Sequence, residues 1–195
     1  MLETKQIKFL KRCSIYPKLL IAGLVSMLTS GFAAILFDMI VSIGSDYSNP
    51  TLRSLVDVTG FGFMIIEGII GIIAMICIKV AFANPDYEDL ADGAYVLPAD
   101  NTPDEKLMTG VSAAAVGGRL LQHSKNSTVK TVGSAVSTAA TAVGLLTIIK
   151  MGFDCMHNAD DICAAYQVKT IKMKTLVWLF ILIPFIVLTI ITIVC

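Results

Sequence analysis

Four long apolar runs partition the chain, at residues 18–44, 57–84, 132–153 and 175–195, with polar stretches of differing character between them. A hydrocarbon core about 30 Å thick is crossed by about 20 helical residues, so each run is long enough to span with some tilt. The first two runs are joined by a short segment containing Asn49 and Pro50, a strong turn signal, and the pattern predicts an antiparallel helical hairpin over 18–84. Residues 1–17 read as a basic juxtamembrane segment. Residues 85–106, with Pro85, Pro98 and Pro103, read as an acidic exposed loop, and 154–174 as a polar loop carrying Cys155 and Cys163. Residues 107–153 form a helical region rich in small side chains that includes the third span. Its first part, 107–122, is short and weakly apolar, which suits a re-entrant or interfacial helix. The run 175–195 is the most hydrophobic, and a membrane helix tolerates its Pro184. The expected fold is therefore an all-α integral membrane helical bundle with about four transmembrane helices.

Composition strengthens this reading mainly through what is scarce. Only 15% of the 195 residues are charged and 55% are hydrophobic, with a mean hydropathy of +0.77. Soluble domains carry about 25% charged residues, because their surface needs ionic cover. The formal net charge is zero, so no global field points to a nucleic-acid partner. The expected contacts are the lipid bilayer and other membrane subunits or further copies of the chain. The apolar stretch after the basic start is too long for a signal-peptide core of about 7–15 residues, and it reads as a retained helix. With four spans and a cytoplasmic N-terminus, ten cations fall on the cytoplasmic side and five on the other. That bias predicts cytoplasmic N- and C-termini, in a bacterial inner membrane or an organellar one alike. If 107–122 also crosses, the 154–174 segment moves to the cytoplasmic side and the bias improves.

The candidate chemistry is sparse. Asp38 and Glu67 interrupt the first two apolar runs, and an intramembrane acid is a functional-site hypothesis by default. Counted from the ends of the hairpin connection, the two acids fall at a similar depth, where two carboxylates in a low dielectric cannot both ionise cheaply. This suits a proton or cation site; the competing reading is two acids that only fix packing. Cys155 and Cys163, sharing one polar stretch, form a candidate disulfide if that stretch faces an oxidising compartment. A metal site from Cys155, His157, Cys163 and Asp160 or Asp161 matches no standard zinc spacing. Gly68, Gly71, Gly133, Ser137 and Gly144 supply small-residue helix-packing positions, which matter in lipid because close packing drives association there. No phosphate loop, nucleophile elbow or paired-histidine motif is present in the sequence, so no cofactor or enzymatic role is expected. The leading expectation is a non-enzymatic subunit of a larger membrane assembly, such as a secretion, conjugation or respiratory complex. The alternatives are a small oligomeric channel or ion-coupled transporter using Asp38 and Glu67, and a tetraspan organiser.

Overall fold

The computed structural model describes residues 2–44, 50–94, 105–122 and 127–194. Six helices follow in order: α1 (Thr4–Gly44), α2 (Pro50–Phe82), α3 (Pro85–Ala94), α4 (Glu105–Gln122), α5 (Ser127–Ala165) and α6 (Met173–Val194), with no strand among the described residues. Of these, α1, α2, α5 and α6 are long and apolar enough to cross a membrane. The chain divides into two compact units, residues 1–96 with 156–195, and residues 97–155. Helix α5 begins in the second and ends in the first.

In the first unit α1, α2 and α6 pack on one another. The α1–α2 contact is antiparallel and close because glycines line it. A Cβ placed on Gly23 would lie 3.0 Å from the Glu67 carbonyl oxygen, and one on Gly60 would collide with Ala34. Further along, the Met27 sulfur lies against Gly68 and the Met64 sulfur against Gly31. In lipid the acyl chains are as apolar as the side chains, so this contact is held by dispersion at short range. At one end of the three helices Ala33, Phe37, Val41, Val56 and Leu188 form a core, with Phe37 and Phe185 edge-to-face at 6.3 Å.

At the other end the helices outrun any bilayer. Helix α1 has 41 residues, about 60 Å of rise, twice the hydrocarbon thickness. Its first part joins a second core made by Leu10, Cys13, Ala81, Tyr87, Leu90, Ala91, Ala159, Ile162 and Cys163. Here water is the alternative environment, so each large apolar side chain that is fully buried contributes about 1.5–3 kcal/mol. Helix α3 is set into this cap by Asn84, whose Oδ1 accepts the Asp86 backbone N–H at 2.9 Å, an N-cap placed before Pro85 in the first turn. Helix α5 ends in a Schellman motif: Val168 N–H donates to the Cys163 carbonyl (2.7 Å) and Gln167 N–H to that of Ala164 (3.0 Å), with Gln167 at φ 56°. The chain then turns back towards α1.

These observations change four expectations. From Thr4 onward the basic segment 1–17 is the start of α1, and it is packed through Leu10, Cys13 and Pro17. The acidic stretch 85–106 is not all loop, since its first ten residues are α3; residues 95–104 lie outside the described residues. The polar loop 154–174 is mostly helix, because Cys155, Met156, Ala159, Ile162 and Cys163 recur at helical spacing and are buried, leaving the polar residues on the outer face. Finally, α6 starts beside Lys18 and reaches the core of Ala33 and Val56 at Leu188. It therefore runs parallel to α1, and its C-terminal end lies on the side opposite the N-terminus rather than on the same side.

In the second unit α4 and α5 pack antiparallel. A Cβ on Gly118 would lie 2.7 Å from the Gly133 carbonyl oxygen and 2.6 Å from the Ser137 nitrogen, so only glycine permits this approach. At the far end of the pair Gly144 meets Val111.

Candidate functional site

Three polar clusters stand out within the first unit. The most extensive surrounds Lys18, whose side chain is 2% exposed although it is a cation on a largely apolar helix. Its Nζ donates to Asp160 Oδ1 at 2.7 Å, to Ser14 Oγ at 2.9 Å and to the Ile171 carbonyl at 2.8 Å. Ser14 Oγ also donates to Asp160 Oδ1, at 2.6 Å. An ammonium group has three donors and all three are used, which is the condition for burying it. The cluster ties α1 to the end of α5 and to the connection into α6. Nearby, Tyr166 Oη donates to the Leu90 carbonyl at 3.1 Å, joining α5 to α3.

At the opposite end Arg53 Nε donates to Asp38 Oδ1 at 2.5 Å and Nη2 to Oδ2 at 3.0 Å, a bidentate pair between α1 and α2. The arginine side chain is 54% exposed. The third cluster lies between these two. Glu67 of α2 is 3% exposed and faces the hydroxyls of Ser26 and Ser30 on α1. Ser26 Oγ donates to the Gly23 carbonyl at 3.1 Å; Glu67 Oε2 and Ser30 Oγ lie close to one another but complete no hydrogen bond of ordinary geometry.

The shared Asp38–Glu67 site expected from the sequence is not formed. Asp38 is matched to Arg53, and fourteen residues of α2 separate Arg53 from Glu67, about 20 Å along the helix. The reason is that α2 begins at Pro50, a full two turns before the apolar run, so Glu67 sits deeper than its distance from Asp57 implies. The partner of Asp38 was legible in kind: Arg53 is a basic residue close beyond the turn of the hairpin that carries Asp38 on its first helix. The Cys155–Cys163 disulfide is also corrected. Both are free thiols on one continuous helix, eight residues and about 12 Å of rise apart, beyond the roughly 7 Å Cα limit for a disulfide. Among the described residues no three His, Cys, Asp or Glu side chains converge as metal ligands do. Gly68 faces Met27 of α1, the Gly71 backbone lies against Gly23 although a Cβ on Gly71 itself would meet nothing within 4 Å, Gly133 and Ser137 lie against Gly118 of α4, and Gly144 faces Val111.

Sequence reasoning missed the Lys18 cluster. The signal available was the register of Ser14 and Lys18, one turn apart on the face that also carries Leu10 and Cys13, which makes Lys18 a core position. Helices of this length and apolarity, packed through glycines, make the chain a multi-pass helical membrane protein. No protein-family model, curated protein or solved structure matches it.

Proposed function

We propose that the chain is a non-enzymatic subunit of a larger membrane assembly, inserted with its capped end in the cytoplasm. The observation that carries this reading is the character of α5. Its stripe Gly133, Ser137, Ala140 and Gly144 is buried, while Ser134, Thr138 and Thr141 on one flank and Ala135, Ala139 and Ala142 on the opposite face are exposed, with Val132, Val136 and Val143 exposed on the other flank. A face of hydroxyls and small side chains gains little from acyl chains and more from a second helix that can approach closely and accept hydrogen bonds.

Charge placement supports the orientation. In the first unit Lys5, Lys8, Lys11, Arg12, Lys79, Lys169, Lys172 and Lys174 are exposed at or near the capped end, against Arg53 alone at the other. Basic residues near helix ends are retained on the cytoplasmic side. The chain leaves the cap after α3 and returns to it through the end of α5. A segment that leaves and returns on one side crosses an even number of times, so α4 and α5 cross together or not at all. This departs from a four-span arrangement with both ends on one side.

Mild-detergent purification with mass spectrometry tests the proposal. Stoichiometric partners are expected with the unaltered chain and are expected to be lost on joint Ser134→Leu and Thr138→Leu substitution. Recovery of the chain alone in both cases would count against an assembly role. Cysteines placed at Lys5 and Lys172 should be labelled from the same side of the membrane; labelling from opposite sides would overturn the orientation and the crossing argument.

A further inference from the structure

We propose that Glu67, Ser26 and Ser30 form an intramembrane binding site for one small monovalent cation, a proton or a sodium ion. The argument starts from unmet valence. Glu67 Oε2 and Ser30 Oγ are buried beside one another between α1 and α2, and neither completes a hydrogen bond of ordinary geometry. Buried polar atoms are almost always satisfied, so a facing pair that is not marks a place for something small to bind. At Gly23 the two backbones approach so closely that an added Cβ would lie 3.0 Å from the Glu67 carbonyl oxygen, which suits a small occupant rather than an organic ligand.

Charge selects the occupant. Among the described residues no counter-ion reaches the carboxyl: α1 presents Gly23, Ser26, Met27 and Ser30, and the nearest positions of α2 are Met64, Gly68 and Gly71. Helix α6 carries no ionisable residue from Thr175 to Val194, nor does α4 from 110 to 118 or α5 from 131 to 149. An uncompensated carboxylate is unfavourable at this depth. One positive charge cancels it, whereas a divalent ion would leave a net charge behind. Carboxylate and hydroxyl oxygens suit a hard cation and a proton equally. Sodium would take the place of the acid proton, so that the two compete for one carboxyl group.

Infrared spectroscopy of the protein in lipid bilayers reads this directly, because a neutral carboxylic acid has a carbonyl band apart from the amide bands. In acidic choline chloride buffer the band is expected in the unaltered protein and in Asp38→Asn, and expected to be absent in Glu67→Gln. Loss of the band on raising the pH, with no response to sodium chloride, establishes the proton form of the site. Loss on adding sodium chloride at constant pH establishes the sodium form. Ser30→Ala, which preserves the helix, is expected to shift the midpoint of either loss by roughly tenfold by removing one ligand hydroxyl. A band that survives both alkali and sodium, or no Glu67-dependent band under any condition, overturns the proposal. So does a midpoint unmoved by Ser30→Ala.

Discussion

The two ion pairs at opposite ends of the α1–α2–α6 bundle are built from the same chemistry and do different work. Lys18–Asp160 buries its cation and satisfies every donor; Asp38–Arg53 has the better bidentate geometry but leaves its arginine largely in solvent. Taking a charge out of water costs several kcal/mol, which only multiple partners recover, and a mostly exposed pair is screened and contributes little. Strength therefore follows the number of partners and the exclusion of water more than the elegance of one contact would suggest. Of the two pairs, Lys18–Asp160 belongs to a cluster that joins three separate segments of sequence, so its loss has consequences beyond one helix pair.

The comparison can be broken most sharply at Asp160. Asp160→Ala leaves the Lys18 ammonium buried with two neutral acceptors, and a loss of about 3 kcal/mol is expected, read as a lowered unfolding midpoint in detergent micelles. Lys18→Met keeps the stem and removes the charge. Since Asp160 is 36% exposed and can be hydrated, a smaller loss of about 1 kcal/mol is expected. If Lys18→Met proves the more damaging of the two, the lysine matters for its hydrogen bonds rather than as a charge needing a partner. The smallest effect belongs to Arg53→Ala, about 0.5 kcal/mol or less, and it should disappear when the comparison is repeated at high salt. A salt-insensitive loss at Arg53 would place that pair in the same class as the buried one.

How much of this was legible depends on which environment each segment meets. Helices α1, α2 and α6 announce themselves because lipid imposes one long apolar run per crossing, and the glycines facing across α1 and α2 follow from packing rules for lipid. The end of α5 did not, because it is a helix at a water boundary. His157, Asn158 and Asp161 along its outer surface read as loop, while the recurrence of Met156, Ala159, Ile162 and Cys163 that marks its inner face is only a few residues long. The Asp38–Arg53 pair needed the true start of α2, and an error of two turns there moved Glu67 by about 10 Å. The direction of α6 relative to α1 was not legible, because it is fixed by contacts at Lys18 and Leu188, which no hydropathy pattern contains.

The Lys18 cluster also sets an order of events. Its serine lies one turn away, but its carboxylate is 142 residues later and its carbonyl partner 153. A chain is made from its N-terminus, so α1 enters the membrane long before either partner exists. Until they arrive the bare ammonium holds that point of α1 at the water boundary, and α1 can settle into its final place only when the connection into α6 has been made. The connection into α6 thus releases α1 from a waiting position, and a chain cut before Asp160 would carry the lysine unmatched.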